Sequence, residues 1–181
     1  MALSEEDKKA LLGMARATIE SYVRDGRVPD FDVTAAALLE KRGAFVTLHE
    51  NGRLRGCIGL FACDRPLYRT VIDMAVAAAT QDPRFPPVSP GELDSLRIEI
   101  SVLSPMKKVE DVGEIEVGRH GIYIVKGGSR GVLLPQVAVE HGFDREEFLD
   151  QTCLKAGLPP GCWRQGADIY IFEAEVFSEG D

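Results

Sequence analysis

The sequence predicts an α+β protein whose largely antiparallel sheet is flanked by helices, and three observations carry that prediction. Asn51-Gly52 lies between two β-rich runs, Gly43 to Glu50 and Arg53 to Phe61, and both turn residues tolerate the positive φ of a type I′ hairpin. A second glycine-rich connection, Gly127-Gly128-Ser129-Arg130, separates Gly121 to Lys126 from Gly131 to Leu134. Helical patterns interrupt these runs in mixed order rather than in regular βαβ repeats, which favours antiparallel pairing.

The elements follow in order. Ser4 is placed to cap a helix of about residues 5 to 24, with Leu11, Leu12, Ala15, Ile19, Tyr22 and Val23 at helical spacing. A shorter helix is expected over Thr34 to Lys41, stopped by Gly43. After the first hairpin, Pro66 suits the first turn of a helix with Leu67, Val71, Met74, Ala75 and Ala78 on its inner face, and Asp82-Pro83 ends it. Ser89 with Glu92 reads as a capping box opening a single turn. Arg97 to Leu103 follows as a strand with Ile98, Ile100 and Val102 on one face. Asp144 with Glu147 caps a further helix through Cys153, and Asp168 to Phe177 alternates as one closing strand.

Size and charge exclude several function classes. A chain of 181 residues, 45% hydrophobic and 28% charged, is long enough to bury a sizeable core and is read as a single domain over 1–181. Its 21 Lys and Arg against 29 Asp and Glu leave a net charge of -8, which repels phosphate backbones, so no nucleic-acid partner is expected. No run approaches the roughly 20 apolar residues that span a bilayer, so no membrane association is expected and the cytoplasm is the default compartment. Cys57, Cys63, Cys153 and Cys162 lack CxxC or zinc-like spacing, so no metal site is expected, and in a reducing compartment all four are expected as free thiols.

The candidate chemistry centres on the first hairpin. Simple pairing across Asn51-Gly52 sets Glu50 opposite Arg53, Leu48 opposite Arg55 and Val46 opposite Cys57. Arg55, Cys57 and Gly59 then share one face, while Leu54, Gly56 and Ile58 share the other with Phe45, Thr47 and His49. Arg55 beside Cys57 would favour the thiolate, which makes these two the catalytic candidates. The flanking glycines imply that something approaches the strand closely. The alternative is structural: a small buried cysteine, an arginine paired with a carboxylate, and glycines that admit a helix. Arg84 and Phe85 in a proline-stiffened loop, and Pro135 and Gln136 at the end of a strand, are further candidates for lining a binding surface. His120 and His141 lack a positioned partner and are weak candidates for a general base.

Leu54-Arg55-Gly56-Cys57-Ile58-Gly59, preceded by Gly43-Ala-Phe-Val-Thr-Leu48, resembles the hallmark motif of the AMMECR domain family, known in microbes as AmmeMemoRadiSam system protein A. Asp82-Pro-Arg-Phe85, Ile100-Ser-Val-Leu-Ser-Pro105, Gly131-Val-Leu-Leu-Pro-Gln-Val137 and Lys155-Ala-Gly-Leu-Pro-Pro160 extend the likeness over nearly the whole chain. The resemblance implies a two-lobed protein: a larger lobe of about 1–105 plus 166–181, an inserted smaller α+β lobe of about 106–165, and a cleft between them lined by Leu54, Gly56, Ile58, Gly59 and their neighbours. It also implies association with a Memo-like protein and a radical S-adenosylmethionine (SAM) protein. No cofactor is expected in this chain, which has no three-cysteine iron–sulfur motif and no glycine-rich nucleotide loop. Two functions remain open at this point: binding of a peptide, protein or protein-bound intermediate, or catalysis through Cys57 with Arg55.

Overall fold

A computed structural model describes residues 2–61 and 64–180, and its Cα atoms cluster into two compact units, Met1–Leu103 with Glu175–Asp181, and Ser104–Ala174. The class is α+β, with a four-stranded sheet in each unit.

In the first unit, α1 (Glu5–Asp25) opens on a capping box, since the Ser4 hydroxyl accepts from Asp7 N–H and the Asp7 carboxylate accepts from Ser4 N–H. It ends on Gly26 in the left-handed conformation, and it buries Leu11, Met14, Ala15, Thr18 and Ile19. Helix α2 (Ala36–Leu39) is a single turn, shorter than the expected Thr34 to Lys41. Tertiary pairing takes its last residues, because Glu40 C=O accepts from Leu67 N–H and Lys41 bridges Pro66. Strands β1 (Ala44–Glu50) and β2 (Arg53–Leu60) meet at Asn51 (φ 51°) and Gly52 (φ 78°), the turn that the dipeptide predicts.

Helix α3 (Leu67–Thr80) lays a face of Leu67, Val71, Met74, Ala75 and Ala78 against the sheet. Pro90–Ser95 forms a 3-10 turn, but Ser89 makes no side-chain cap. The Glu92 carboxylate lies instead 3.0 Å from the Arg55 guanidinium. Strand β3 (Leu96–Leu103) buries Leu96, Ile98, Ile100 and Val102 as its alternation requires. The sheet order is β2-β1-β3-β8, with β8 spanning Ala174–Ser178, so β2 is an edge strand. The buried faces of β1 and β3 pack with α1 and α3 into one apolar core.

The second unit holds β4 (Lys107–Lys108), β5 (Gly121–Lys126), β6 (Ser129–Leu133) and β7 (Asp168–Phe172), in the order β4-β7-β5-β6. The β5–β6 turn is tighter than the four-residue connection expected, since Lys126 already pairs with Ser129 across Gly127-Gly128. Helix α4 (Pro135–His141) stands where Pro135 is expected only to end a strand. Proline at its first position and left-handed Gly142 at its end are the asymmetric signals that mark it. Helix α5 (Arg145–Lys155) carries the expected Asp144–Glu147 capping box and packs Phe148, Leu149 and Cys153 into a second core with Ile122, Ile124 and Ile171.

Two further expectations need correction. Asp168 to Phe177 is not one strand, because β7 pairs with β4 and β5 in the second sheet whereas β8 joins the first. Cys153 and Cys162 are not free thiols but form a disulfide that ties α5 to the 3-10 turn Cys162–Arg164. Asp150 holds the same loop by accepting from Gly161 N–H at 2.7 Å and Trp163 Nε1–H at 2.8 Å. Cys63 lies outside the described residues.

Both sheets seat a phenylalanine ring across a cross-strand glycine, Phe45 over Gly59 and Phe172 over Gly121. A Cβ at either glycine would come within 2.2–2.3 Å of the ring.

Candidate functional site

The hairpin does not keep simple register. Glu50 pairs with Arg53 and His49 with Leu54, but Leu48 then pairs with Gly56, so Arg55 is the extra residue of a β-bulge. Beyond it every side chain of β2 exchanges faces relative to the simple pairing. Cys57 therefore stands opposite Thr47, not Val46, and shares the outer face of the sheet with Phe45, Thr47 and His49. Gly56 and Ile58 turn toward the helices with Val46 and Leu48.

The glycines now have identifiable neighbours. A Cβ at Gly56 would stand 2.2 Å from the carbonyl oxygen of Ala78, so the missing side chain is what lets α3 approach the strand. Gly59 is covered by the Phe45 ring. Leu54, opposite His49, is 40% exposed.

Cys57 is half-buried and free, with Sγ 3.2 Å from the Thr47 hydroxyl. That proximity suits a non-hydrogen-bonded cross-strand pair, in which side chains come closest and the backbone groups face outward. The Cys57 N–H donates to Asp82 Oδ2 at 2.9 Å, and Arg84 Nη2 donates to Cys57 C=O at 3.4 Å. Asp82 is buried and missing from the candidates the sequence offered; its local signal is the turn in which its carboxylate accepts from Arg84 N–H and Nε–H, both at 3.0 Å. Hydrogen bonds from the Arg84 side chain, then from the Cys57 and Arg84 main-chain N–H groups, hold the Asp82 carboxyl far below the usual carboxylate range against the opposing effect of burial. The same pairing raises Arg84 above the ordinary arginine value.

Arg55 does not serve the thiolate in this arrangement. Its guanidinium is nine-tenths buried, with Nη2 at 3.0 Å from Glu92 Oε2 and Nε at 3.9 Å from Glu50 Oε2. It also lies 6.0 Å from the Phe85 ring centre, which the Arg84 guanidinium approaches to 5.5 Å. Phe85 thus links the Cys57–Asp82–Arg84 cluster to Arg55. Glu50, Asn51, Arg53, Leu54, Arg55 and Phe85 line a hollow of about 480 Å³.

Pro135 and Gln136 belong to the second unit, where Pro135 is buried at the start of α4. His120 and His141 also lie there: His120 Nδ1 accepts from Glu116 N–H, and His141 Nδ1 lies 3.0 Å from Val137 C=O. Among the described residues no group of three His, Cys, Asp or Glu side chains is placed to hold a metal ion, and no helix is long and apolar enough to cross a membrane.

The chain is similar to known proteins over nearly its whole length. The AMMECR1 family model matches residues 12–177. Protein MK0488 of Methanopyrus kandleri is 46% identical over 187 residues, covering 98% of this chain and 90% of that protein. A protein of Thermococcus gammatolerans is 48% identical over 190 residues, covering 98% and 92%. The crystal structure of uncharacterized protein PH0010 from Pyrococcus horikoshii superposes with a TM-score of 0.90 at 43% identity, covering 98% of this chain and 94% of that one. A family match over most of the length, with relatives this similar end to end, means that this chain belongs to the AMMECR1 family.

Proposed function

We propose that the chain is a binding protein whose motif surface, from Leu54 to Gly59 with Arg84 and Phe85, receives a peptide or protein segment. The observation that carries this reading is how the polar groups around Cys57 are employed. Asp82 is committed to two main-chain N–H groups and to Arg84, and the thiol has a hydroxyl as its hydrogen-bonding neighbour. Such an arrangement shapes and stiffens a strand; proton transfer needs a base with free capacity within reach of the nucleophile. The exposed Leu54 beside half-buried Phe85 supplies the apolar anchor that protein contacts favour.

The partners proposed are the Memo-like and radical SAM proteins to which the family's microbial name joins it. Calorimetric titration of the purified chain against each, from the same genome, tests the reading. Leu54→Asp is expected to weaken binding at least about tenfold, because it places a charge at a buried contact. Unchanged affinity in Leu54→Asp, or no binding by the parent chain, overturns the proposal.

A second reading treats Cys57 as a nucleophile or redox centre, and its free, half-buried thiol is the observation in its favour. Arg84, rather than Arg55, is then the cation at hand.

A further inference from the structure

Arg55 and Glu92 form an incomplete pair. Arg55 Nη1 and Nη2 and Glu92 Oε2 are sealed from solvent, yet none makes a hydrogen bond, although Nη2 and Oε2 approach to 3.0 Å. Buried donors and acceptors left in this condition are costly, and native structures rarely keep them without a purpose. The neighbours offer little relief: Glu50 Oε2 stands 3.9 Å from Nε, beyond hydrogen-bond reach, and Glu50 Oε1 accepts from the Ser95 hydroxyl at 2.8 Å. Arg55 meanwhile forms part of the wall of the 480 Å³ hollow, beside Leu54 and Phe85.

The unused set consists of the N–H groups on two guanidinium nitrogens, Arg55 Nη1 and Nη2, and one carboxylate oxygen, Glu92 Oε2. A free anion would satisfy the donors but would meet Glu92 and Glu50; a cation would satisfy the acceptor but would meet Arg55 and Arg53. A neutral group that both accepts and donates answers both; a hydroxyl does so through one atom, whereas an amide presents a C=O and an N–H at separate atoms, as the separated Arg55 and Glu92 groups require. We infer that the Arg55–Glu92 pair is a recognition point for an amide of the bound segment, either main chain or an Asn or Gln side chain. The amide C=O accepts from the Arg55 Nη atoms, its N–H donates to Glu92 Oε2, and an adjoining apolar side chain occupies the hollow against Leu54 and Phe85. Such binding requires the Glu92 carboxylate to turn aside from Nη2, since both atoms are sealed from solvent without the ligand. This deepens the binding reading of the same surface and rests on it, giving the chemistry by which the segment is held.

The probe is 4-methylpentanamide, compared with its methyl ester, which lacks the N–H donors, and with 4-methylpentanoate, which is anionic. Each is titrated into the full chain while the Arg55 Nε–Hε and Phe85 ring resonances are followed by NMR. A saturable shift with the amide is expected, about tenfold weaker for the ester and for the amide with Arg55→Lys, which keeps the charge but loses the fork. A native-like spectrum of Arg55→Lys secures the comparison. Preference for the carboxylate, equal binding of amide and ester, or no saturable shift at Arg55 overturns the inference. Protein-partner titration separates the two proposals: loss in Leu54→Asp with full retention in Arg55→Lys leaves the binding reading standing and sinks the amide contact. Absence of partner binding in the parent chain sinks the reading itself.

Discussion

The Cys57 N–H donates to Asp82 Oδ2 at 2.9 Å, so a side chain from the loop after α3 occupies the position that a neighbouring strand would take on the open edge of β2. Arg84 completes the substitution by donating to the Cys57 carbonyl. Edge strands invite unwanted pairing, and this clamp covers the edge at the centre of the motif.

Asp82→Asn removes the charge but keeps the shape. It leaves Arg84 without its carboxylate partner and weakens the bond from Cys57, so a loss of about 1–3 kcal/mol in urea unfolding is expected. A change within experimental error would show that the clamp contributes nothing to stability.

The same residue sets a pH dependence with a defined sign. The folded-state pKa of Asp82 is depressed, chiefly by the Arg84 hydrogen bonds, so its contribution is fully present above the ordinary aspartate pKa of about 4 and is lost as pH falls below that. The parent chain and Asp82→Asn should therefore differ in stability near neutrality and converge in acid. A difference that persists unchanged to about pH 2 would refute the assignment.

Two glycine-to-alanine changes should have opposite signs. Gly56→Ala drives a methyl group into the Ala78 carbonyl, 2.2 Å from where the new Cβ would lie, so α3 must retreat, and a cost of about 1–3 kcal/mol or more is expected. Gly13, inside α1, has nothing within 4 Å of the equivalent point, so Gly13→Ala is expected to stabilise by roughly 0.5–1 kcal/mol. Thermal unfolding of the two variants side by side checks both signs.

The Cys153–Cys162 bond closes a short loop, with a sequence separation of 9. Chain entropy for a loop of that size gives at most about 3 kcal/mol, so Cys162→Ser should lower the urea midpoint without preventing folding. Asp150 still fixes the loop through Gly161 and Trp163, and Trp163 fluorescence should stay native-like in the variant. Fluorescence shifted to that of an exposed indole would show that the disulfide alone orders this region.

Cys57, half-buried and free, should alkylate in the native protein, whereas oxidised Cys153 and Cys162 should not. Peptide mass spectrometry after iodoacetamide treatment distinguishes them. Labelling of Cys57 that accelerates in Arg84→Ala would argue against Arg84 as a thiolate-stabilising cation.

Much of this arrangement could be read from residues whose local chemistry admits one answer. Asn51-Gly52 allows a type I′ turn, Ser4 and Asp144 cap helices with their own carboxylate partners, and Ile98, Ile100 and Val102 can bury only one face of a strand. The bulge at Arg55 leaves no such mark in the local sequence, and Glu92, which reads as the capping partner of Ser89, lies against Arg55 instead. That one-residue slip reverses the faces that simple pairing predicts and separates the Arg55 guanidinium from the Cys57 thiol. Asp82 read as a helix terminator beside Pro83, and its reach to Cys57, 25 residues earlier, was visible only once β2 and the end of α3 lay together. Helix α4 was missed because Pro135 carries two meanings, ending a strand or starting a helix, and only its pairing with Gly142 decides between them.

The phenylalanine-over-glycine pairs work as keys in keyholes. With Phe45 lodged on Gly59, and Phe172 on Gly121, sliding either ribbon by two residues would bring a bulky ring against an ordinary side chain and leave the notch empty. Each sheet thereby carries its own alignment pin, so the offset of β2 against its neighbour is enforced by shape as well as by the clamp from a distant loop.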